Sequence, residues 1–147
     1  MDKIKLLLKN LKSISSGFQS IIKAAFKDSE PEAIDLQVDQ HVKHGVRADG
    51  SDIGEYSPYT VELKKLKGQS TDFVTLEDTG DYHNKMEFTK ITDFGANIDS
   101  TDWKASKLVD DWGGDLTGLT EQNTEEYAKE NFLTSLMEII KNKLWVG

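Results

Sequence analysis

The chain has 147 residues, of which 37% are apolar, and it carries a net charge of −8 with no cysteine. This size suits one domain with a modest core, and the missing cysteines exclude a disulfide framework or a thiolate metal site. The acidic balance disfavours nucleic acid as the main partner, because that binding depends on neutralising phosphates. With no signal peptide and no apolar run near the roughly 20 residues of a membrane span, we expect a soluble protein without a membrane partner.

The first segment has the period of an amphipathic helix. Its apolar residues alternate spacings of three and four, with Leu8 and Ile22 widening the face: Ile4, Leu7, Leu11, Ile14, Phe18, Ile21 and Ala25. We predict one helix over residues 1–28, followed by a single α+β domain over residues 29–147. Its face would pack on its own domain or form a coiled-coil-like contact with a neighbouring chain. A basic membrane anchor is a third option, but the segment lacks the tryptophans typical of one.

The charge is divided between this segment and the rest of the chain. Residues 1–27 hold six lysines and one aspartate, a net charge of +5. The other 120 residues hold 12 basic and 25 acidic side chains, a net charge of −13. The first helix is therefore basic and the body acidic.

Residues 28–45, "DSEPEAIDLQVDQHVKHG", combine two patterns. Ser29 and Glu32 match a capping box, with Pro31 in the first turn of a helix. The apolar residues nevertheless alternate as in a strand, at Ile34, Leu36, Val38 and Val42. We favour a strand for residues 33–43.

Two histidines lie three residues apart in this stretch. His41 and His44 could bind a metal together with Asp39, but only a helix would turn them to one side. With no third strong ligand nearby, we interpret them as two solvated histidines. We accordingly predict neither a metal nor a cofactor.

The stretch "RADGSDIGEYSPYTVELKKLKG" contains a turn and then a helix. Turn residues between Gly45 and Gly54 precede Ser57, which we expect to cap a helix that begins at Pro58 and ends at Gly68. Leu63 and Leu66 would face inward. The lysines at 64, 65 and 67 fall in the last turn, where the helix dipole favours cations, so we interpret them as helix capping.

Asp78, Thr79 and Gly80 form the tripeptide with which aspartic proteases present their catalytic carboxylate. That chemistry needs two carboxylates sharing one proton, so this chain would have to dimerise. Glu77 and Asp81 flank the tripeptide, and carboxylates crowded about a two-fold axis would repel one another. We interpret the tripeptide as a structural turn in which Asp78 or Thr79 bonds backbone N–H groups and Gly80 takes a positive φ. An aspartic peptidase built on Asp78 is the alternative from the enzyme class.

The rest of the chain predicts a hairpin and two helices. "KMEFTKITDFGANIDSTDW" indicates two short strands around a turn at residues 93–95, and "KASKLVDDWGG" indicates a short helix. From Thr120 as N-cap, a final helix runs to about Lys143 with one apolar face: Leu133, Leu136, Met137, Ile140 and Leu144. The predicted fold class is α+β, with a long N-terminal amphipathic helix, a small mostly antiparallel sheet and a C-terminal amphipathic helix.

Three runs in order, "YSPYT", "VELKKLKG" and "LEDTGDY", resemble those of bacteriophage virion-morphogenesis proteins. These are the neck or tail-completion (head-tail connector) proteins, and the fuller run over residues 45–86 is similar to proteins from phages of gut bacteria. The resemblance covers about residues 33–90. It departs from the family pattern at Tyr56, where a tryptophan is usual, and at Tyr82, where a leucine is usual.

The resemblance implies a structural protein rather than an enzyme, made in the host bacterial cytoplasm and built into the virion. Such proteins form rings between portal and tail, so the expected partners are copies of the chain and the portal, neck or tail proteins, with no specific nucleic-acid recognition. A small acidic adaptor or inhibitor unconnected with virions is a further alternative.

In a head-to-tail ring, the basic helix of one copy would meet the acidic body of the next. We therefore expect residues 1–27 to act in assembly and their deletion to leave a folded core. The turn from Gly45 to Gly54 is a second candidate contact. The candidate assembly interface on the first helix comprises Ile4, Leu7, Leu11, Ile14, Phe18 and Ile21.

Overall fold

The computed structural model describes residues 2–146 and shows helices around a two-stranded antiparallel sheet, which confirms the predicted α+β class. The elements in chain order are α1 (Lys3–Ser16), α2 (Phe18–Asp28), α3 (Glu30–Val42), α4 (Pro58–Leu66), α5 (Asp81–Asn84), β1 (Met86–Ile91), β2 (Ala96–Ser100), α6 (Ala105–Trp112), α7 (Glu121–Glu126), a π-helical segment (Tyr127–Phe132) and α8 (Leu133–Leu144). The last three follow one another without a break, as one long helix.

The N-terminal segment forms two helices rather than the single helix predicted. Asp2 caps α1 by accepting a hydrogen bond from the Lys5 backbone N–H at 2.9 Å. α1 ends at Ser16, and Gly17 separates it from α2. A glycine within a helix costs about 1 kcal/mol relative to alanine, so the segment is weakest at this residue. The break allows α1 and α2 to take different directions.

Residues 30–42 form helix α3, so the predicted strand is wrong. The buried positions of α3 are Ala33, Gln37, Gln40 and His41, which have helical spacing. Three of these four side chains are polar, whereas the alternating apolar residues are only partly buried. The buried face of this helix is mostly polar, so its apolar residues do not mark that face. Their alternation along the chain therefore suggested a strand.

Helix α4 begins at the predicted residue, but the side chain that it buries is not one of the two leucines predicted. The Ser57 hydroxyl accepts a hydrogen bond from the Thr60 backbone N–H at 3.2 Å, and Pro58 is the first helical residue. Leu63 and Leu66 are 41% and 85% exposed, so the prediction that they face inward is wrong. Lys64 is the buried residue of this helix instead.

The hairpin and the final helix follow the sequence-based prediction closely. β1 and β2 are antiparallel, with Phe88 opposite Ile98 and an irregularity between Phe88 and Lys90. The Thr92 backbone N–H donates to the Gly95 carbonyl at 2.8 Å and closes the turn. Thr120 caps the final helix by accepting from the Asn123 backbone N–H at 3.2 Å.

The apolar core consists of two clusters that meet at Ile34 of α3. One cluster joins the loops and α5: Ile53, Val74, Leu76, Tyr82, Met86 and Leu116. The other is largely aromatic and joins α2, the hairpin and the π-helical segment: Ala33, Ile98 and Tyr127, with Phe26, Phe88 and Phe132 packed against them. Helix α3 thus connects the two halves of the core.

Candidate assembly surface

The structure divides the predicted interface of the first segment into buried and exposed residues. Ile14 and Ile21 are buried within the chain and Leu7 is half-buried, so these side chains are already covered. The exposed members are Ile4, Leu11 and Phe18, to which Leu8 is added. Fewer apolar side chains are therefore available to a partner than the sequence predicted.

Helix α8 covers the buried side of this segment by running antiparallel to it. The Asn10 side-chain amide donates to the carbonyls of Leu144, at 2.7 Å, and Val146, at 3.0 Å, at the end of α8. Near the start of α8, the Ser135 hydroxyl donates to the Asp28 carboxylate. Residues 2–5, at the far end of α1, are all exposed.

We call residues 2–12 and 141–146 the projecting end. Ile4 is 71% exposed and Trp145 is 69% exposed, and three further apolar side chains are exposed with them: Leu8, Leu11 and Val146. The charged residues of the projecting end are Asp2 and six exposed lysines: Lys3, Lys5, Lys9, Lys12, Lys141 and Lys143. This end is thus basic and apolar, although the whole chain is acidic.

The second candidate contact, the turn from Gly45 to Gly54, is held firmly by its own chain. The Arg47 guanidinium donates to the carbonyls of Gly114, at 2.7 Å, Ile53, at 2.8 Å, and Trp112. The Ala48 backbone N–H donates to the Asp115 carbonyl at 3.0 Å. These bonds fix the turn against the end of α6, so we leave it out of the candidate surface.

Asp78 lies in a lysine-bound turn. Its carboxylate accepts a hydrogen bond from Lys67 Nζ at 2.6 Å, and Lys104 Nζ lies 3.6 Å from its other oxygen. The hydrogen bond from Lys67 lowers the pKa of Asp78 below its ordinary value, with smaller contributions from the charges of both lysines. The lysines therefore hold the carboxylate ionised, and of the two side chains predicted to bond a backbone N–H it is Thr79 that does so.

The two residues after Asp78 shape the turn in the predicted way. The Thr79 hydroxyl accepts from the Asp81 backbone N–H at 3.4 Å. Gly80 has a φ of +90° at the start of α5, a conformation that a residue with a Cβ adopts at a cost. The tripeptide thus redirects the chain into α5.

Lys64 lies in the last turn of α4 and Lys67 at its C-cap, as the helix-capping interpretation has it, and both also bind this turn. Lys64 Nζ donates to the Glu77 carbonyl at 2.6 Å and lies 4.8 Å from the centre of the Tyr56 ring. The Tyr56 hydroxyl in turn accepts from the Thr75 backbone N–H at 3.0 Å. The three runs that carry the family resemblance therefore form one local structure.

His41 lies in a buried polar cluster. Its Nε2 donates to the Leu116 carbonyl, because a carbonyl can only accept, and this leaves Nδ1 as an acceptor. Nε2 of His83 lies 3.3 Å from that Nδ1 and donates to it. The pair joins α3, α5 and the loop before α7, a contact that sequence reasoning missed because no local pattern relates residues 41 and 83.

Burial lowers the pKa of both imidazoles to about 4. For His41 the neighbouring His83 charge lowers the pKa further, against the opposing effect of the Leu116 carbonyl. The interpretation of His41 as solvated is therefore wrong, whereas His44 is exposed. Within residues 2–146, no three histidine, aspartate or glutamate residues are grouped so as to hold a metal ion.

Two glutamines of α3 extend this cluster to the loop before α7. The Gln37 carbonyl oxygen accepts from the Gly118 backbone N–H at 2.7 Å, and the Gln40 amide donates to the Gly118 carbonyl at 3.0 Å. The Gln40 oxygen also accepts from the Thr120 backbone N–H at 3.0 Å. These bonds satisfy backbone groups of a loop that has no strand partner.

Across the part of the chain that the structure describes, no helix is long and apolar enough to cross a bilayer. Comparisons of the chain with protein-family models, with curated proteins and with solved structures find no match.

Proposed function

We propose that the chain is a structural component of a bacteriophage virion that occupies a ring position between portal and tail, in the neck or the tail-completion region. It works by binding copies of itself and its neighbours in the particle, without catalysis. The observation that carries this proposal is the projecting end, whose exposed apolar side chains and lysines contrast with an acidic body. Exposed apolar clusters of this kind are typical of protein contact sites.

Two further observations support the proposal. The runs "YSPYT", "VELKKLKG" and "LEDTGDY" resemble those of neck and tail-completion proteins, and in this chain Tyr56, Lys64 and Lys67 bind the segment that leads into Gly80. The fold is α+β, the class that the resemblance implies. These contacts hold the turn in one conformation, and a rigid surface of this kind is typical of proteins that bind without changing shape.

The experiment locates the protein in particles. Virions purified from a phage that carries the gene are probed with an antibody against the chain, and a phage with the gene interrupted is imaged by electron microscopy. We expect the chain in intact virions, and filled heads separate from tails in the interrupted phage. A chain absent from washed virions, or normal particles without the gene, would contradict the proposal. A gene far from portal, capsid and tail genes would also count against it.

A further inference from the structure

A groove lies between the hairpin and the final helix. It encloses about 720 Å³ and has apolar walls formed by Phe26, Phe88, Ile98, Leu119 and Phe132. Thr124 and Ala128 line it from the side of the final helix, and the 95% exposed Phe94 lies at its mouth on the hairpin turn. Its volume falls in the range of about 300–1,000 Å³ that is typical of binding pockets. The groove can therefore receive several apolar side chains.

The elements that form the groove are acidic. Residues 86–100, the hairpin, hold Glu87, Asp93 and Asp99 against Lys90, a net charge of −2. Residues 120–132 hold four glutamates against one lysine, a net charge of −3. The projecting end has six lysines and one aspartate, a net charge of +5. The two surfaces are thus both apolar and opposite in charge.

The projecting end cannot reach the groove of its own chain. Phe132 lines the groove immediately before α8, whereas Asn10 of α1 is bound at the other end of α8. α8 has 12 residues, which at 1.5 Å per residue separates the two places by about 18 Å. Residues before Asn10 continue away from the groove. A projecting end that occupies the groove must therefore belong to a second copy.

We infer that the projecting end of one copy docks in the groove of the next, with Ile4, Leu8 and Leu11 in the groove and the lysines facing the acidic elements that form it. Each copy uses two different surfaces, so the contact is heterologous and repeats until a ring closes or a filament grows. The apolar side chains supply most of the affinity, while the opposite charges speed docking and set its orientation. This inference deepens the proposed function and rests on it, since a ring requires such a contact.

A second copy explains both surfaces at once. An anionic membrane would bind the basic projecting end but would leave the groove empty. A small apolar ligand would fill the groove but would leave Leu8 and Trp145 exposed. A second copy carries both surfaces and therefore covers both.

Sedimentation velocity of the purified intact chain at rising concentration and low salt tests the inference. We expect reversible association that Leu8→Glu, in the projecting end, and Thr124→Trp, in the groove, each weaken at least about tenfold. Matched controls are Leu66→Glu, an exposed leucine on α4, and Thr134→Trp, an exposed threonine on α8 outside the groove. Both controls should associate like the parent, and circular dichroism confirms that each variant is folded.

Crosslinking identifies the two surfaces directly, because the chain has no cysteine. A tagged Leu8→Cys chain is mixed with an untagged Thr124→Cys chain and treated with a short bismaleimide. We expect a mixed dimer that forms far more slowly when Leu66→Cys replaces Leu8→Cys. Equal yields, or a parent that stays monomeric, would overturn the inference.

Vesicles of anionic phospholipid test the alternative that the projecting end binds a membrane surface. Binding to vesicles by the parent but not by Leu8→Glu, without self-association, would assign the projecting end to a lipid surface and overturn the inference. Self-association is measured on purified protein, so its outcome is separate from the detection of the chain in virions. A chain present in virions that does not associate through the groove would refute this contact and leave the proposed function standing.

Discussion

The imidazoles of His41 on α3 and His83 on α5 share one hydrogen bond of 3.3 Å in the interior of the chain. Both rings are buried beside Tyr82, with His41 stacked against its ring and His83 edge-on to it. Protonation of either ring would place a cation against its neighbour and away from water. The folded state therefore favours the neutral form of both histidines.

We predict that stability falls as the pH drops from about 6.5 to about 4. The folded pKa of His41 and of His83 is about 4 against an ordinary 6.5, so the unfolded chain binds more protons across this window. Stability then decreases by up to about 3 kcal/mol per pH unit if both rings contribute fully. Urea unfolding at several pH values measures this slope. His83→Gln, which retains a donor for His41, should reduce the slope, whereas His44→Gln on the surface should leave it unchanged.

We predict that Gly45→Ala destabilises the chain far more than Gly50→Ala. Both glycines have a positive φ, of +61° and +84°, which costs a residue with a Cβ roughly 1–2 kcal/mol. At Gly45 the new Cβ would also lie 2.5 Å from a Phe73 ring carbon and 2.9 Å from the Val74 carbonyl oxygen. Nothing lies within 4 Å of a Cβ at Gly50. Thermal melting compares the two, and equal losses would mean that the Phe73 ring moves aside freely.

We predict that Asp78→Asn has a small effect on stability. We also predict that the parent has no peptidase activity for the substitution to remove. The Asp78 side chain is half-exposed, and ion pairs at such positions contribute about 0–1 kcal/mol. Its lowered pKa means that the contribution is present at neutral pH and is lost as the pH falls through that pKa. The free energy of unfolding should change less between low and high salt for the variant than for the parent. Cleavage of a peptide library at acidic pH by the parent, lost in Asp78→Asn, would establish the peptidase alternative.

We predict that deletion of residues 1–16 leaves a folded chain, whereas deletion of residues 1–27 does not. The shorter deletion removes one buried isoleucine, Ile14, whose burial is worth about 1.5–3 kcal/mol. The longer deletion also removes Ile21, Ala25 and Phe26, and loss of a packed phenylalanine alone costs roughly 3–5 kcal/mol. We thus place the removable segment at residues 1–16 rather than 1–27. Circular dichroism and thermal melting of both truncated chains test this. Cooperative melting of the chain with the longer deletion would support the removable segment first predicted, residues 1–27.

Structural features that depend on neighbouring residues were predictable from the sequence. Ser57 and Thr120 cap their helices because each side chain bonds a backbone N–H three residues later, and such pairs are visible in a short window. The hairpin turn before Gly95 and the positive φ of Gly80 are equally local. The basic character of the first segment was also evident, because charge is a property of composition.

The packing partner of each helix face depends on long-range contacts, which were not predictable from the sequence. α3 buries Gln37, Gln40 and His41 because the loop before α7 and His83 supply their hydrogen-bond partners, and partners so distant in sequence leave no local periodic pattern. The apolar face of α1 is partly covered because α8 returns alongside it and ends at Asn10. That return also brings Trp145 to the projecting end, where sequence reasoning found no tryptophan. Local propensity defines a helix, but the exposed part of its surface depends on contacts between residues more than a hundred positions apart.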